Sequence, residues 1–155
     1  MKILAIDPGG TTGFALYSVG VVTADQLGPD EHHWRLERRL DNLRPSVLIY
    51  ERFEHRNAPF AKLISNEYIG VIKCWAQKNP DVKLVAQGAS QAKNWATDEK
   101  LQALGLLLKP LTKNRNANDA TRHFVYFVCH NRRAPRELRE KYMDILRELV
   151  TGEVR

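Results

Sequence analysis

The first seventeen residues constrain the fold of this chain more than any later segment. Ile3-Leu4-Ala5-Ile6 is a short apolar run of the length and composition of a buried strand. It ends in Asp7, the first carboxylate of the chain. Pro8-Gly9-Gly10 predicts a tight turn, because proline presets φ and glycine tolerates φ above zero. Gly13 to Tyr17 then reads as a second apolar strand. A strand–Asp–turn–strand unit holds one carboxylate at the mouth of a sheet, and small residues beside it let an anion or a metal approach the backbone. The same unit also suits a plain hairpin whose Asp bonds its own turn amides, so Asp7 alone leaves both readings open.

Further along, Ser18-Val19-Gly20 turns into a third predicted strand, Val21 to Leu27, giving an antiparallel meander. Pro29-Asp30 predicts a helix start with Asp30 as N-cap, and the helix runs to Leu43 with Trp34, Leu36, Leu40 and Leu43 as its apolar face. Arg44-Pro45 stops it. Val47-Leu48-Ile49-Tyr50 has the continuous apolarity of a central strand covered on both faces, and it delivers Glu51 at its carboxyl end. After a polar loop, Arg52 to Pro59, a helix is predicted from Phe60 to Gln77, with Ile64, Ile69, Ile72 and Trp75 among its apolar positions. Val82 to Ala86 is another short strand, and Ser90 to Trp95 a short helix. Thr97 predicts the cap of a helix with Leu101, Leu104 and Leu108 inside, and Asp98 and Glu99 complement its amino-terminal dipole. A basic loop, Lys109 to Asn116, leads into a helix predicted over 117–130, with Asp119 in its first turn. Pro135 opens a last amphipathic helix, 135–150, carrying Leu138, Tyr142, Ile145 and Leu149.

Strands separated by helices must run parallel, so strands one, four and five are expected to be parallel and strands one to three antiparallel. The expected fold class is therefore α/β, a five-stranded mixed sheet with helices on both faces, in one domain over residues 1–155. Asp7 and Glu51 then leave the carboxyl ends of neighbouring parallel strands, the edge where such sheets place their sites. Asp119, near a helix start, is expected to join them. Three converging carboxylates repel one another and persist only where cations compensate. An all-oxygen set suits Mg²⁺ or Mn²⁺, and two such ions about 3.5–4 Å apart can activate a water and stabilise a leaving oxygen in phosphodiester hydrolysis.

The formal net charge is +6, which favours a polyanionic partner such as nucleic acid. Lys93, Lys100, Lys113, Arg115, Arg132 and Arg133 are candidate phosphate contacts, Lys113 and Arg115 foremost because they lead into Asp119. Thr12, Arg52 and Arg122 join them as candidate DNA contacts. His123 reads as a packing residue or as a group facing the metals or a phosphate. Cys74 and Cys129, far apart and without metal-site spacing, read as reduced core residues. The glycines and Asp7 fit no signal peptide, and no apolar run has the length of a membrane span. A cytoplasmic location is expected.

Ile3-Leu-Ala-Ile-Asp7-Pro-Gly-Gly-Thr-Thr-Gly13 resembles the opening of RuvC-type Holliday-junction resolvases, of the RNase H-like superfamily. Ile49-Tyr50-Glu51-Arg52-Phe53, followed by Asn57 and a helix containing Gly70, resembles the family's second acidic motif. Asn116-Ala-Asn-Asp119-Ala120-Thr-Arg122-His123 resembles its carboxyl-terminal helix motif, and is most similar to the short resolvases encoded by bacteriophages. The resemblance spans about residues 2 to 130. It implies an RNase H-like fold, Asp7, Glu51 and Asp119 as catalytic metal ligands, Mg²⁺ or Mn²⁺ as two ions per site, and cleavage of branched DNA by a homodimer in a bacterial cell. In resolvases of this type an aromatic residue after the second acid can stack at the branch point, which points to Phe53. The family usually has an acid or a histidine three positions before the last Asp. Here that position is Asn116, either a neutral metal ligand or the N-cap of its helix. Hydrolysis of RNA–DNA hybrids and weakly catalytic junction binding are the alternatives. A sugar-kinase or actin-like fold also begins Asp-x-Gly-x-Thr, but it normally closes on nucleotide with a second such domain that this length lacks. The candidate dimer faces are the helix carrying Ile64, Ile69, Ile72 and Trp75, and the last helix.

Overall fold

A computed structural model describes residues 1–28, 33–52 and 64–151. Five strands form one sheet in the order β3-β2-β1-β4-β5. β1 is Ile3–Asp7, β2 Thr12–Ser18, β3 Val21–Leu27, β4 Val47–Arg52 and β5 Lys83–Gly88. β1, β2 and β3 pair antiparallel, while β4 runs parallel to both β1 and β5. The helices are α1 (His33–Leu43), α2 (Ile64–Lys78), α3 (Ala89–Trp95), α4 (Asp98–Ala103), α5 (Arg115–His130) and α6 (Arg136–Thr151). The mixed α/β sheet expected from the sequence is the one observed.

Alternation along the strands builds two cores. Leu4, Ile6, Phe14, Leu48 and Tyr50 point to one face and pack on Leu36 and Leu40 of α1 and on Tyr68, Ile69, Ile72 and Trp75 of α2. Ile3, Ala5, Ala15, Val47 and Ile49 point to the other and pack on Ala120, Phe124, Val125, Phe127 and Val128 of α5, with α6 outside. Small residues let α5 lie close. Gly13 has no room for a side chain at all: a Cβ there would overlap the carbonyl of Asn116. Asn118, fully buried, bonds both the N–H and the C=O of Leu108 (2.9 and 3.0 Å) and ties the preceding loop to α5.

Several expectations change. Neither Gly9 nor Gly10 takes positive φ; the left-handed glycines are Gly20, in the β2–β3 hairpin, and Gly105, just beyond α4. α4 ends at Ala103, so Leu104 and Leu108 are not on its face. Thr97 occupies the cap position, but its hydroxyl bonds the Glu99 carboxylate rather than a backbone amide. Trp34 is half exposed, because only Leu36 and Leu40 of α1 turn fully inward. Cys74 is exposed and Cys129 buried, both free. Ile69, Ile72 and Trp75 pack on the sheet, so that helix face is core and unavailable as a dimer surface. On α6, Leu138, Tyr142 and Leu146 turn inward, whereas Leu149 is exposed. α5 starts at Arg115, two residues earlier than predicted, with Asn114 at the N-cap position. Asn116 therefore lies inside the first turn and is not a cap, and Asp119 falls in the second turn. Asn114 offers the same cap chemistry as Asn116, and the contact with Gly13 and the Asn118–Leu108 bonds seat α5 in the earlier position. The predicted N-cap Asp30 and the predicted start of α2 at Phe60 lie outside the described residues.

Candidate metal centre

The alternation that sorts Ile3 from Leu4 also sorts the polar residues at the strand ends. Asp7, Glu51 and Gln87 continue the series Ile3-Ala5, Val47-Ile49 and Val85, so all three face α5. On α5, Asp119 and His123 are one turn apart on the face that looks back at the sheet. Both are buried, as is Asp7.

Lys93, from α3 directly after β5, enters between the three acids. Its Nζ lies 2.8 Å from Glu51 Oε2, 3.2 Å from Asp119 Oδ2 and 3.4 Å from Asp7 Oδ1. Arg122 pairs with Asp119 at 2.5 Å and also with Asp98 of α4. His123, with no exposed surface, bridges Glu51 Oε2 (2.9 Å, from Nε2) and Gln87 Oε1 (2.8 Å, from Nδ1).

The electrostatics reflect crowding of like charge. Burial pushes the Asp7 carboxyl up to about 7; the Lys93 charge opposes the rise, while Glu51 and Asp119 add to it. Burial would also raise Glu51, but hydrogen bonds from His123 and Lys93, with the Lys93 charge, outweigh it and bring the carboxyl down to about 2. Burial works against a charged Lys93, yet the acids around it win and its pKa rises above the usual lysine value. The two acids thus split: Asp7 retains a proton where Glu51 does not.

A carboxyl whose charge burial disfavours gains from any added cation. Three acids share two cations, and Arg122 is itself divided with Asp98. The carboxylate oxygens with one imidazole form a hard, largely oxygen set that fits Mg²⁺ or Mn²⁺. Among the described residues, Asp7, Glu51 and His123 bring ligand atoms within 4.8 Å of one another. Among the described residues, no atom lies within 4 Å of a Cβ built on Gly10 in the turn after Asp7.

The sequence-predicted residues separate into groups. Asp7, Glu51 and Asp119 come together around Lys93, which moves from peripheral phosphate contact to the middle of the cluster. Arg122 is bound into an acidic bracket within the fold. Thr12 is buried, donating its hydroxyl to the Gly9 carbonyl (2.9 Å) and bracing the turn after Asp7. Arg52, Lys113 and Arg115 are exposed, and Asn116 is half-buried with its backbone against Gly13. Phe53 lies outside the described residues. Gln87 escaped the sequence reading; its signal was the odd-numbered alternation of β5, which places it beside Glu51. His123 was readable as one helical turn beyond Asp119.

No protein-family profile and no curated protein matches the sequence. Solved structures do match. Thermus thermophilus RuvC in complex with Holliday-junction substrate is similar at 20% identity over 82% of this chain and 94% of that one, with a TM-score of 0.59. A second structure of Thermus thermophilus RuvC gives a TM-score of 0.53 at 19% identity, over 82% and 95% of the two chains. The Fowlpox virus resolvase, in complex with Holliday-junction DNA, gives 0.50 at 16% identity over 94% and 99%. These likenesses cover nearly the whole of each relative. With the strand order, they show that this chain shares the fold of RuvC and of the Fowlpox virus resolvase.

Proposed function

We propose that the chain is a metal-dependent endonuclease that hydrolyses phosphodiesters in branched DNA. The observation that carries this reading is the convergence of Asp7, Glu51 and Asp119, from β1, β4 and α5, around one cationic atom at the carboxyl edge of the sheet. Two Mg²⁺ ions held by these acids would activate a water and stabilise the leaving oxygen. The chain's own groups do the rest. Lys93 neutralises the acids, and it is positioned to turn its ammonium to a phosphate oxygen once other cations take the carboxylates. Arg122 and Asp98 fix the rotamer of Asp119. Lys113 and Arg115, exposed where the basic loop enters α5, are placed to hold the phosphate backbone of an arm, as is Arg52 at the end of β4. Phe53 is proposed to stack at the branch. A homodimer would supply the second set of acids that two symmetric cuts need.

RNA–DNA hybrid hydrolysis would use the same acids, so substrate choice is the decisive test. A four-way junction, a linear duplex and an RNA–DNA hybrid are incubated with the protein in Mg²⁺ and in EDTA. Paired cuts in the junction alone, lost in EDTA, are expected. Preferential cutting of the hybrid would move the assignment to a ribonuclease, and cleavage in EDTA would remove the metal from it.

A further inference from the structure

The family pattern places a ligand three residues before the last acid, where this chain has a neutral Asn116. A different residue stands against the carboxylates. His123, four residues after Asp119 and on the same face of α5, turns Nε2 to within 2.9 Å of Glu51 Oε2. We propose that His123 ligates a divalent cation through Nε2 together with Asp7 and Glu51, filling from one helical turn further on the role that position 116 leaves weak. The inference rests on the proposed metal-dependent function.

Three observations support it. The first is the donor set: Asp7, Glu51 and His123 all present ligand atoms within 4.8 Å of one another. The second is orientation. Gln87 Oε1 lies 2.8 Å from Nδ1 and can hold a proton there, which frees Nε2, hydrogen-bonded to Glu51 in the metal-free chain, to give its lone pair to a cation. In the metal-free chain a hydrogen joins Nε2 to Glu51 Oε2 at 2.9 Å, and a metal ion would take its place. An imidazole whose outer nitrogen is held by a second residue is the usual arrangement of a ligating histidine. Gln87, itself buried at the end of β5, is the positioning residue. The third is distance. Adjacent vertices of an octahedron with bonds of about 2.1 Å are about 3.0 Å apart, so Nε2 and Oε2 already stand as neighbouring ligands of an ion of Mg²⁺ or Mn²⁺ size. One imidazole among oxygens also shifts preference from Mg²⁺ towards Mn²⁺, the softer of the two.

Binding of Mn²⁺ to the DNA-free protein tests this without reference to cleavage. Electron spin-echo spectra of bound Mn²⁺ report a directly coordinated nitrogen, and ¹⁵N-histidine labelling assigns it to imidazole. The chain has five histidines, so the spectrum is taken also for a variant with His32, His33, His55 and His130 all changed to Gln, and for His123→Gln. The expected result is imidazole coupling in the wild type, retained when His123 is the sole histidine. In His123→Gln the coupling disappears and Mn²⁺ affinity falls by roughly tenfold or more. Bound Mn²⁺ without nitrogen coupling in the wild type, or coupling that persists in His123→Gln, overturns the ligand assignment and leaves the carboxylate site standing. Failure to bind Mn²⁺ at all would instead remove the metal-dependent function on which the inference rests.

Discussion

The two faces of the sheet are made from the same strands and solve opposite problems. Under α1 and α2, Leu4, Ile6, Phe14, Leu48 and Tyr50 meet Leu36, Leu40, Ile72 and Trp75 in a dry, close-packed layer. In it the Trp75 indole N–H donates to Asp41 Oδ1 at 2.7 Å. Under α5 the layer begins in the same way, with Ile3, Ala5, Val47 and Ile49, then changes at the carboxyl ends of the strands to Asp7, Glu51 and Gln87. There burial works against charge: Asp7 is pushed up to about 7. The difference teaches that one face is packed with apolar side chains along the strands, while the α5 face joins an equally extensive apolar core to a polar cluster in which burial strains a carboxylate. The strain is carried by the side chains, since the strands beneath are regular.

The comparison is broken most severely on the α5 face. Asp7→Asn, Glu51→Gln and Asp119→Asn should each lower junction cleavage by on the order of a thousandfold or more, because each removes an anionic ligand from a shared set. Junction affinity, measured in parallel by gel shift, should change little. Substantial cutting by any one of them would mean that the acids are structural.

On the opposite face the effect should be on stability alone. Trp75→Ala removes a fully packed indole and leaves a cavity, costing about 3–5 kcal/mol in urea unfolding. Mn²⁺ affinity at temperatures where the variant is folded should stay as in the wild type. A large loss of metal affinity would show the two faces to be coupled.

Titration separates the faces more finely. Asp7, whose folded pKa lies above the ordinary value of 3.8, binds its proton more tightly in the folded chain than in the unfolded one. Metal-free stability should therefore fall as pH rises from about 4 to about 7, by up to ~4 kcal/mol if Asp7 acted alone. Glu51, depressed to about 2, acts the other way: its contribution is present above about 4.5 and is lost as pH falls towards 2. Metal-free unfolding should be hardest between these windows, near pH 4–5. Asp7→Asn should remove the decline towards neutral pH, and at pH 7.5 it should be more stable than the wild type. A metal-free stability that climbs steadily from pH 4.5 to 7.5 would contradict the assignment of strain to Asp7.

The smallest effect is expected at Asn116. With His123 in the ligand set, Asn116→Asp should change the Mg²⁺ concentration for half-maximal cleavage by less than about threefold, since a first-turn acid mainly complements the helix dipole. A tenfold drop would return the missing ligand position to residue 116.

By itself the sequence determined the strand pattern, the parallel arrangement and the acids at the strand ends. Those follow from short-range rules: apolar runs, helices between strands, and a period of two that sends Asp7 and Glu51 to the face of Ile3 and Ile49. Asp119 was visible too, because the motif around it carries a recognisable spacing. What only the tertiary structure decided was which cations meet those acids. Lys93 is far from all three in sequence, and nothing local distinguishes it from the other lysines; it reaches them because α3 starts directly at the end of β5. The start of α5 was equally hidden. Local cap chemistry suits Asn114 as well as Asn116, and the fit of the Asn116 backbone against Gly13 and the bonds of Asn118 to Leu108 go with a first turn at Arg115. With the helix in that position, one more turn carries His123 from an apolar-looking stretch onto Glu51. Propensity is worth tenths of a kcal/mol to about 1 kcal/mol per residue, and close packing of a buried helix outweighs it.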